Sequence, residues 1–169
     1  MQNEVDFNQA IAAHYPEPVS IAIARDLEGK DNPITLGWSM RTSIDPALFA
    51  ISVGLERYSC EVIRHAREFV LALPSVGMER ETMFFGEQSG RHIDKLAMMS
   101  TRISHASRVE SVLLDDAAAN FECVLESEHE TGDHVIFVGR VVCSHVHRDA
   151  AARRLYSLNR EHKLGAARD

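Results

Sequence analysis

Residues 32–75 read NPITLGWSMRTSIDPALFAISVGLERYSCEVIRHAREFVLALPS, and the period of the apolar residues changes twice along them. The run ITLGWSMRTS (34–43) is strand-like, and Asp45-Pro46 marks a turn. A further strand is expected from Ala47 to Val53. From Ser59 the spacing becomes helical. Val62, Ile63 and Ala66 recur three and four residues apart, with Arg64, His65 and Arg67 on the other side. Another strand is expected over Phe69–Pro74. Short strands, tight connections and a single amphipathic helix point to an antiparallel β domain rather than to βαβ units.

The flanks extend the same pattern. Asp6–His14 (DFNQAIAAH) predicts a short helix, stopped by Tyr15-Pro16-Glu17-Pro18. VSIAIARD follows, with Val19, Ile21 and Ile23 alternating with smaller residues, and Glu28–Pro33 is dense in turn formers. These first strands are expected to form a meander. Residues 76–93 predict helix and loop. FECVLESEHE and HVIFVGRVVCSHVH flank Thr131-Gly132-Asp133, a hairpin signal. A short helix at Asp149–Leu155 and a polar tail are expected to end the chain. The fold class is therefore mainly β with a few helices. A small antiparallel Greek-key barrel suits it, because closure removes exposed strand edges.

With 169 residues, the chain is expected to be one domain with a full hydrophobic core. Its content, 45% hydrophobic and 25% charged, is that of a folded protein rather than a disordered one. No stretch reaches the roughly 20 apolar residues of a membrane span, and MQNEVDF lacks the basic start of a signal peptide. A cytoplasmic location is expected. A net charge of −7 with scattered Lys and Arg disfavours nucleic-acid binding. The three cysteines, Cys60, Cys123 and Cys143, are odd in number and widely spaced, which fits reduced thiols.

Several chemistries have no local signature here: the sequence contains no G-x-G-x-x-G, P-loop, C-x-x-C, H-E-x-x-H or G-x-S-x-G. His145 and His147 would share a strand face and could chelate a metal. The plain alternative is an exposed strand end, and no metal site is expected, because spacing supplies no further ligand. His134, beside the hairpin, reads as turn or rim.

Two features point to a ligand. Thr35, Ser39, Thr42 and Ser43 cluster hydroxyls around Gly37 and Trp38, and a planar ring could approach the backbone at Gly37. A bulge in an ordinary strand would use the same residues. Arg57-Tyr58-Ser59 opens the amphipathic helix, with Ser59 as the expected N-cap. The free N–H groups of a helix start suit an anion, and Arg57 adds a bidentate donor. The plain alternative is a capped helix with a surface arginine. Lys95 could add a cation, although a lone lysine is ordinarily solvated.

N-P-I-T-L-G-W, then S-x-D-P, R-Y-S-C-E-V-I-R and E-F-V-L-A-L-P, resemble the flavin reductase-like family, the FMN-binding split-barrel group that includes flavoredoxin. G-x-x-I-D-K-L, F-E-C-V-L and G-D-H-V-I-F-V-G-R-V continue the resemblance, which runs from about Pro18 to about Tyr156. Relatives often have two prolines after the aspartate where this chain has Pro46-Ala47.

The resemblance implies an FMN-binding split β-barrel and a homodimer with FMN near the subunit interface. Asn32, Pro33, Ile34, Thr35, Leu36, Gly37, Trp38 and Ser39 would line the isoalloxazine. Arg41 and Ser43 would lie toward the ribityl and phosphate end. Arg57, Tyr58 and Ser59 would hold the phosphate, with Lys95 as a further contact. The implied activity is an NAD(P)H-dependent flavin reductase, moving hydride from NADH or NADPH through FMN to free flavin or another acceptor. A flavoredoxin-type electron carrier with a protein partner is the alternative, and a non-enzymatic flavin- or haem-binding module is a further one. No catalytic side chain is assigned.

Overall fold

The computed structural model describes residues 1–167. Asp6 starts the first element. Its carboxylate accepts a hydrogen bond from Gln9 N at 3.0 Å and caps α1 (Phe7–Ala10), which tightens into a 3₁₀ turn at Ile11–His14. The predicted helix over 6–14 is thus present in two pieces.

Beyond it lie β1 (Glu17–Pro18), β2 (Ser20–Arg25) and β3 (Asp31–Leu36), then β4 (Ser39–Ser43) and β5 (Leu48–Gly54). Next come α2 (Tyr58–Ala66), β6 (Glu68–Leu73), α3 (Glu79–Glu87) and α4 (Lys95–Met99). The chain continues through β7 (Ile103–His105), β8 (Val112–Leu114), β9 (Ala119–Thr131) and β10 (His134–Val146). It closes with β11 (Leu155–Ser157) and β12 (Leu164–Ala166).

Seven of these strands form one antiparallel sheet in the order β3-β2-β6-β9-β10-β5-β4. The two ends of that order are consecutive in sequence, separated only by Gly37-Trp38. Across the seam, Ser52 N donates to Trp38 O at 2.9 Å and the Ser20 and Ser39 hydroxyls meet at 2.7 Å. The sheet therefore curls into a barrel that is split beside one bent segment of chain, where β3 and β4 each pair on one side only. The expected meander is corrected here. The run 34–43 is broken at Gly37-Trp38, so β3 pairs with β2 while β4 pairs with β5.

The alternation in β2 separates two cores. Ala22 and Ala24 face the barrel interior with Ile51, Val53, Phe69, Leu71 and Phe137, and α2 plugs that interior with Val62 and Ile63. Ile21 and Ile23 face outward beneath Met78 and Phe85, Leu96, and the Val112–Leu114 strand. The large residues of β2 thus serve the outer layer and the small ones the crowded interior. Both faces are dry, and roughly 1.5–3 kcal/mol attaches to each large side chain so buried.

The hairpin expected around Gly132 is present, with Gly132 at φ +60° and a long β9–β10 ladder. The predicted helix at Asp149–Leu155 is not. There the backbone pairs with the segment after β6: Val76 N donates to Arg153 O (2.9 Å) and Leu155 N to Pro74 O (2.8 Å). The polar tail also takes on structure, because β12 joins β11 and β1 in a small three-stranded sheet with Leu155 and Leu164 buried against Val19.

Candidate functional site

A cavity of about 580 Å³ opens beside the barrel seam, within the size range of small-molecule sites. Ile34, Thr35, Leu36, Gly37 and Trp38 form one wall, α3 contributes Thr82, Met83 and Gly86, and Ser157, His162 and Leu164 of the small sheet face them. Arg57 and His134 stand at one end, and Tyr15 and Glu17 also line the space.

Each wall has a local cause. At Gly37 a Cβ would lie 2.9 Å from Glu17 Oε1, so glycine is what lets the buried Glu17 carboxylate sit against the corner. His14 Nε2 lies 3.3 Å from the other oxygen of Glu17. Thr35 Oγ1 donates to Thr82 O at 2.5 Å and pins α3 to β3. A Cβ on Gly86 would meet Thr35 Cβ at 3.4 Å, so the helix and the strand approach closely. Trp38 is 57% exposed and tilts against His134, with ring centroids 4.7 Å apart. An aromatic this open beside a cavity suits ring stacking.

The start of α2 differs from expectation in one respect. Arg57, not Ser59, is the N-cap, with extended backbone (φ −76°, ψ 130°) and no side-chain capping bond. Ser59 lies inside the first turn and is buried, because its hydroxyl is taken by Asn32: Asn32 Nδ2 donates to Ser59 Oγ at 2.8 Å. Asn32 Oδ1 is buried without a partner, in the space a Gly90 Cβ would fill, 1.8 Å away. The Arg57 side chain is exposed, and its guanidinium makes no hydrogen bond or ion pair among the described residues. A free guanidinium at a helix start beside a cavity is a ready anion contact.

Lys95 is buried rather than solvated, at 2% exposure. Its Nζ donates to Phe85 O and Gln88 O, each at 3.1 Å. Burial, with the charges of Arg57 and Lys30 added, lowers its pKa to about 8. Lys30 Nζ donates to Gly90 O at 2.7 Å and lies 3.6 Å from Asp26 Oδ2. Three cations therefore share the neighbourhood of the α2 start, with Asp26 as the nearby counter-charge.

Tyr58 turns the other way. Its hydroxyl donates to Asp26 Oδ2 at 3.1 Å, and Arg91 lies over its ring. Burial and the Asp26 contact both raise the Tyr58 phenol. For Asp26, burial alone would raise the carboxyl, but the Lys30 N–H, Tyr58 O–H and Glu28 N–H bonds outweigh it and hold it below its ordinary value.

The structure thus brings Ile34, Thr35, Leu36, Gly37, Trp38 and Arg57 together at one cavity. Asn32, Pro33 and Ser59 lie behind that wall, buried, and Ser39 is engaged with Ser20 at the seam. Arg41 and Ser43 lie on the edge strand β4, with Arg41 exposed. Lys95 and Tyr58 do not reach the cavity wall. Glu17, Thr82 and His162 line the cavity without having been singled out in sequence. Each comes from a distant segment, and only the Pro-flanked position of Glu17 hinted at a fixed backbone.

An elongated ligand with a flat ring system and an anionic end fits this set. Trp38 and the 34–38 wall suit the ring, Arg57 and the α2 start suit the anion, and the orphaned Asn32 Oδ1 leaves an unmet acceptor behind them.

Comparison with known proteins follows the same direction. The family model described as "Flavin reductase like domain" matches residues 12–164. An uncharacterized protein of Archaeoglobus fulgidus is 33% identical over 122 residues, covering 72% of this chain and 68% of the relative. An NADH-dependent FMN reductase of Streptomyces nodosus subsp. asukaensis is 28% identical, with 73% and 66% covered. The first three relatives found are spanned over 68%, 63% and 46% of their own lengths. Among solved structures, the flavoredoxin of Methanosarcina acetivorans superposes with a TM-score of 0.88 at 21% identity, covering all of this chain and 92% of that one. At that identity the likeness establishes a shared fold.

Proposed function

This chain belongs to the flavin reductase-like domain family, and from that premise we propose that it is an FMN-binding oxidoreductase fed by NADH or NADPH. The observation that carries this reading is the cavity at the barrel seam. It is lined by a glycine corner, an open tryptophan against His134 and, beside the same histidine, an unpartnered arginine at a helix start.

FMN, when bound, supplies the redox chemistry, accepting hydride from a nicotinamide and releasing electrons to free flavin or another acceptor. The chain's own residues supply placement. The backbone of 34–38 would border a planar ring, with the Glu17 carboxylate filling the space beside Gly37. Arg57 and the first N–H groups of α2 hold the phosphate, with Lys95 raising the positive potential from behind. Trp38 borders the open face of the cavity and limits water there.

Trp38, Met40 and Ile44, along β4 and its two flanks, are 57%, 63% and 80% exposed. Their apolar exposure supports a second copy of the chain covering them, which is the homodimer reading. Among the described residues no helix is long and apolar enough to cross a membrane.

The test is an FMN titration of the purified protein by visible absorbance and fluorescence, followed by NADH and NADPH oxidation with and without added flavin. Saturable FMN binding with nicotinamide turnover is expected. A chain that leaves FMN free in solution overturns the reading, whereas tight FMN binding without turnover replaces the reductase with an electron carrier.

A further inference from the structure

At the end of the β9–β10 ladder away from its hairpin, Glu122, Cys143 and His145 bring one carboxylate oxygen, one thiol sulfur and one ring nitrogen within 4.8 Å of one another. Strand geometry explains the convergence. Cys143 and His145 are two residues apart on β10 and so share a face, and Glu122 of β9 is the register partner of Cys143. A register shift between Val141 and Cys143 bulges β10 at this point.

Glu122 is fully buried, and its orientation is set by the loop beside it. Ser107 N donates to Oε1 at 2.9 Å, while Arg108 N (2.5 Å) and Val109 N (3.2 Å) donate to Oε2. His145 Nε2 lies 2.6 Å from Oε1. Burial alone would raise the Glu122 carboxyl, but the Ser107 N–H, His145 and Arg108 N–H contacts outweigh it and keep it below the ordinary glutamate value. Cys143 and His145 are half-buried, so the group is open to solvent on one side. Cys123 is sealed, its thiol pushed up to about 12 by burial and by the Glu122 charge, and it is no competitor as a thiolate.

We propose that Glu122, Cys143 and His145 form a site for a borderline-soft divalent metal ion of the zinc and cobalt class, with solvent as a fourth ligand. A mixed sulfur, nitrogen and oxygen set selects such ions over magnesium or calcium. The backbone N–H groups of 107–109 act as the outer shell that aims the carboxylate. Ligand atoms around tetrahedral zinc lie roughly 3.5 Å apart, so the group closes by rotation of the two half-buried side chains. On binding, the Cys143 thiol gives up its proton to solvent. The imidazole proton, which Nε2 donates to Glu122 Oε1 in the metal-free protein, moves to Nδ1 and leaves Nε2 for the metal. The sequence reading of His145 with His147 is revised in one respect. His147 turns to the backbone of Asp149, and the partners of His145 are Cys143 and a glutamate 23 residues earlier.

The probe is cobalt(II), titrated into chelator-treated, reduced protein without a histidine tag and followed by difference absorbance. One equivalent should bind saturably and give a thiolate-to-cobalt charge-transfer band. Cys143→Ser should abolish the band, and His145→Ala should weaken binding at least about tenfold. In the unaltered chain, zinc should slow alkylation of Cys143, read by mass spectrometry, by at least about tenfold, which keeps the test informative should a variant misfold. Absence of the band, its survival in Cys143→Ser, or unslowed alkylation of Cys143 in the presence of zinc each overturns the assignment.

Discussion

Arg57 and Lys95 are two cations beside the same helix start, in opposite states. Arg57 caps α2, lies open to solvent at the cavity and has no partner among the described residues. Lys95 is sealed behind the Asn32–Ser59 pair, with two carbonyl oxygens bound and its pKa lowered to about 8. The difference separates a contact group from a field group. An exposed guanidinium can touch a ligand and costs little to keep charged in water. A buried ammonium acts through potential, and its charge is held at a desolvation cost that an arriving anion offsets.

Three measurements can break that division. The largest effect is expected from Arg57→Ala, which should weaken FMN binding about 10- to 100-fold, the range for losing charge-assisted hydrogen bonds. A fluorescence titration checks this, and an unchanged affinity would remove Arg57 from the site.

The next effect is a pH dependence that belongs to Lys95. A phosphate nearby favours the charged ammonium, so the pKa of Lys95 rises in the complex. Affinity is therefore full below about 8 and falls as pH climbs through that value, by at most about tenfold per pH unit. Lys95→Met should flatten the profile between about pH 7.5 and 9.5. A slope that persists in the variant would assign it to another group.

The smallest effect is expected from Arg57→Lys, which keeps the charge but loses the fork, with a loss of about threefold to tenfold in affinity. A loss as large as that of Arg57→Ala would show that geometry, not charge, dominates at the exposed position.

Much of the fold was legible in sequence because period and turn chemistry are local. Ile21 and Ile23 gave a strand, Val62, Ile63 and Ala66 gave a helix, and Gly132 gave a hairpin, all as found. What could not be seen was which face each period serves. The large residues of β2 point to the outer layer, because α2 already crowds the barrel interior. The helix expected at 149–155 failed for a similar reason. Its backbone is claimed by residues 74–76, a contact no local pattern encodes.

At the site, Gly37 and Arg57 could be picked out by type and position. Ser59 was displaced from the cap by two residues, because capping is decided by backbone angles rather than by the presence of a hydroxyl. Lys95 defied the default for lysine, since only the C-terminal end of α3, at Phe85 and Gln88, supplies the carbonyl oxygens that receive it. Glu17 was invisible as a cavity residue, because it reaches Gly37 across 20 positions of chain.

The seam at Gly37-Trp38 has an evolutionary corollary. The residues that bend the chain at the seam also line the cavity, so a change there alters scaffold and cavity together. Specificity can diverge between relatives through α3 and the small C-terminal sheet, which line the same cavity without closing the barrel.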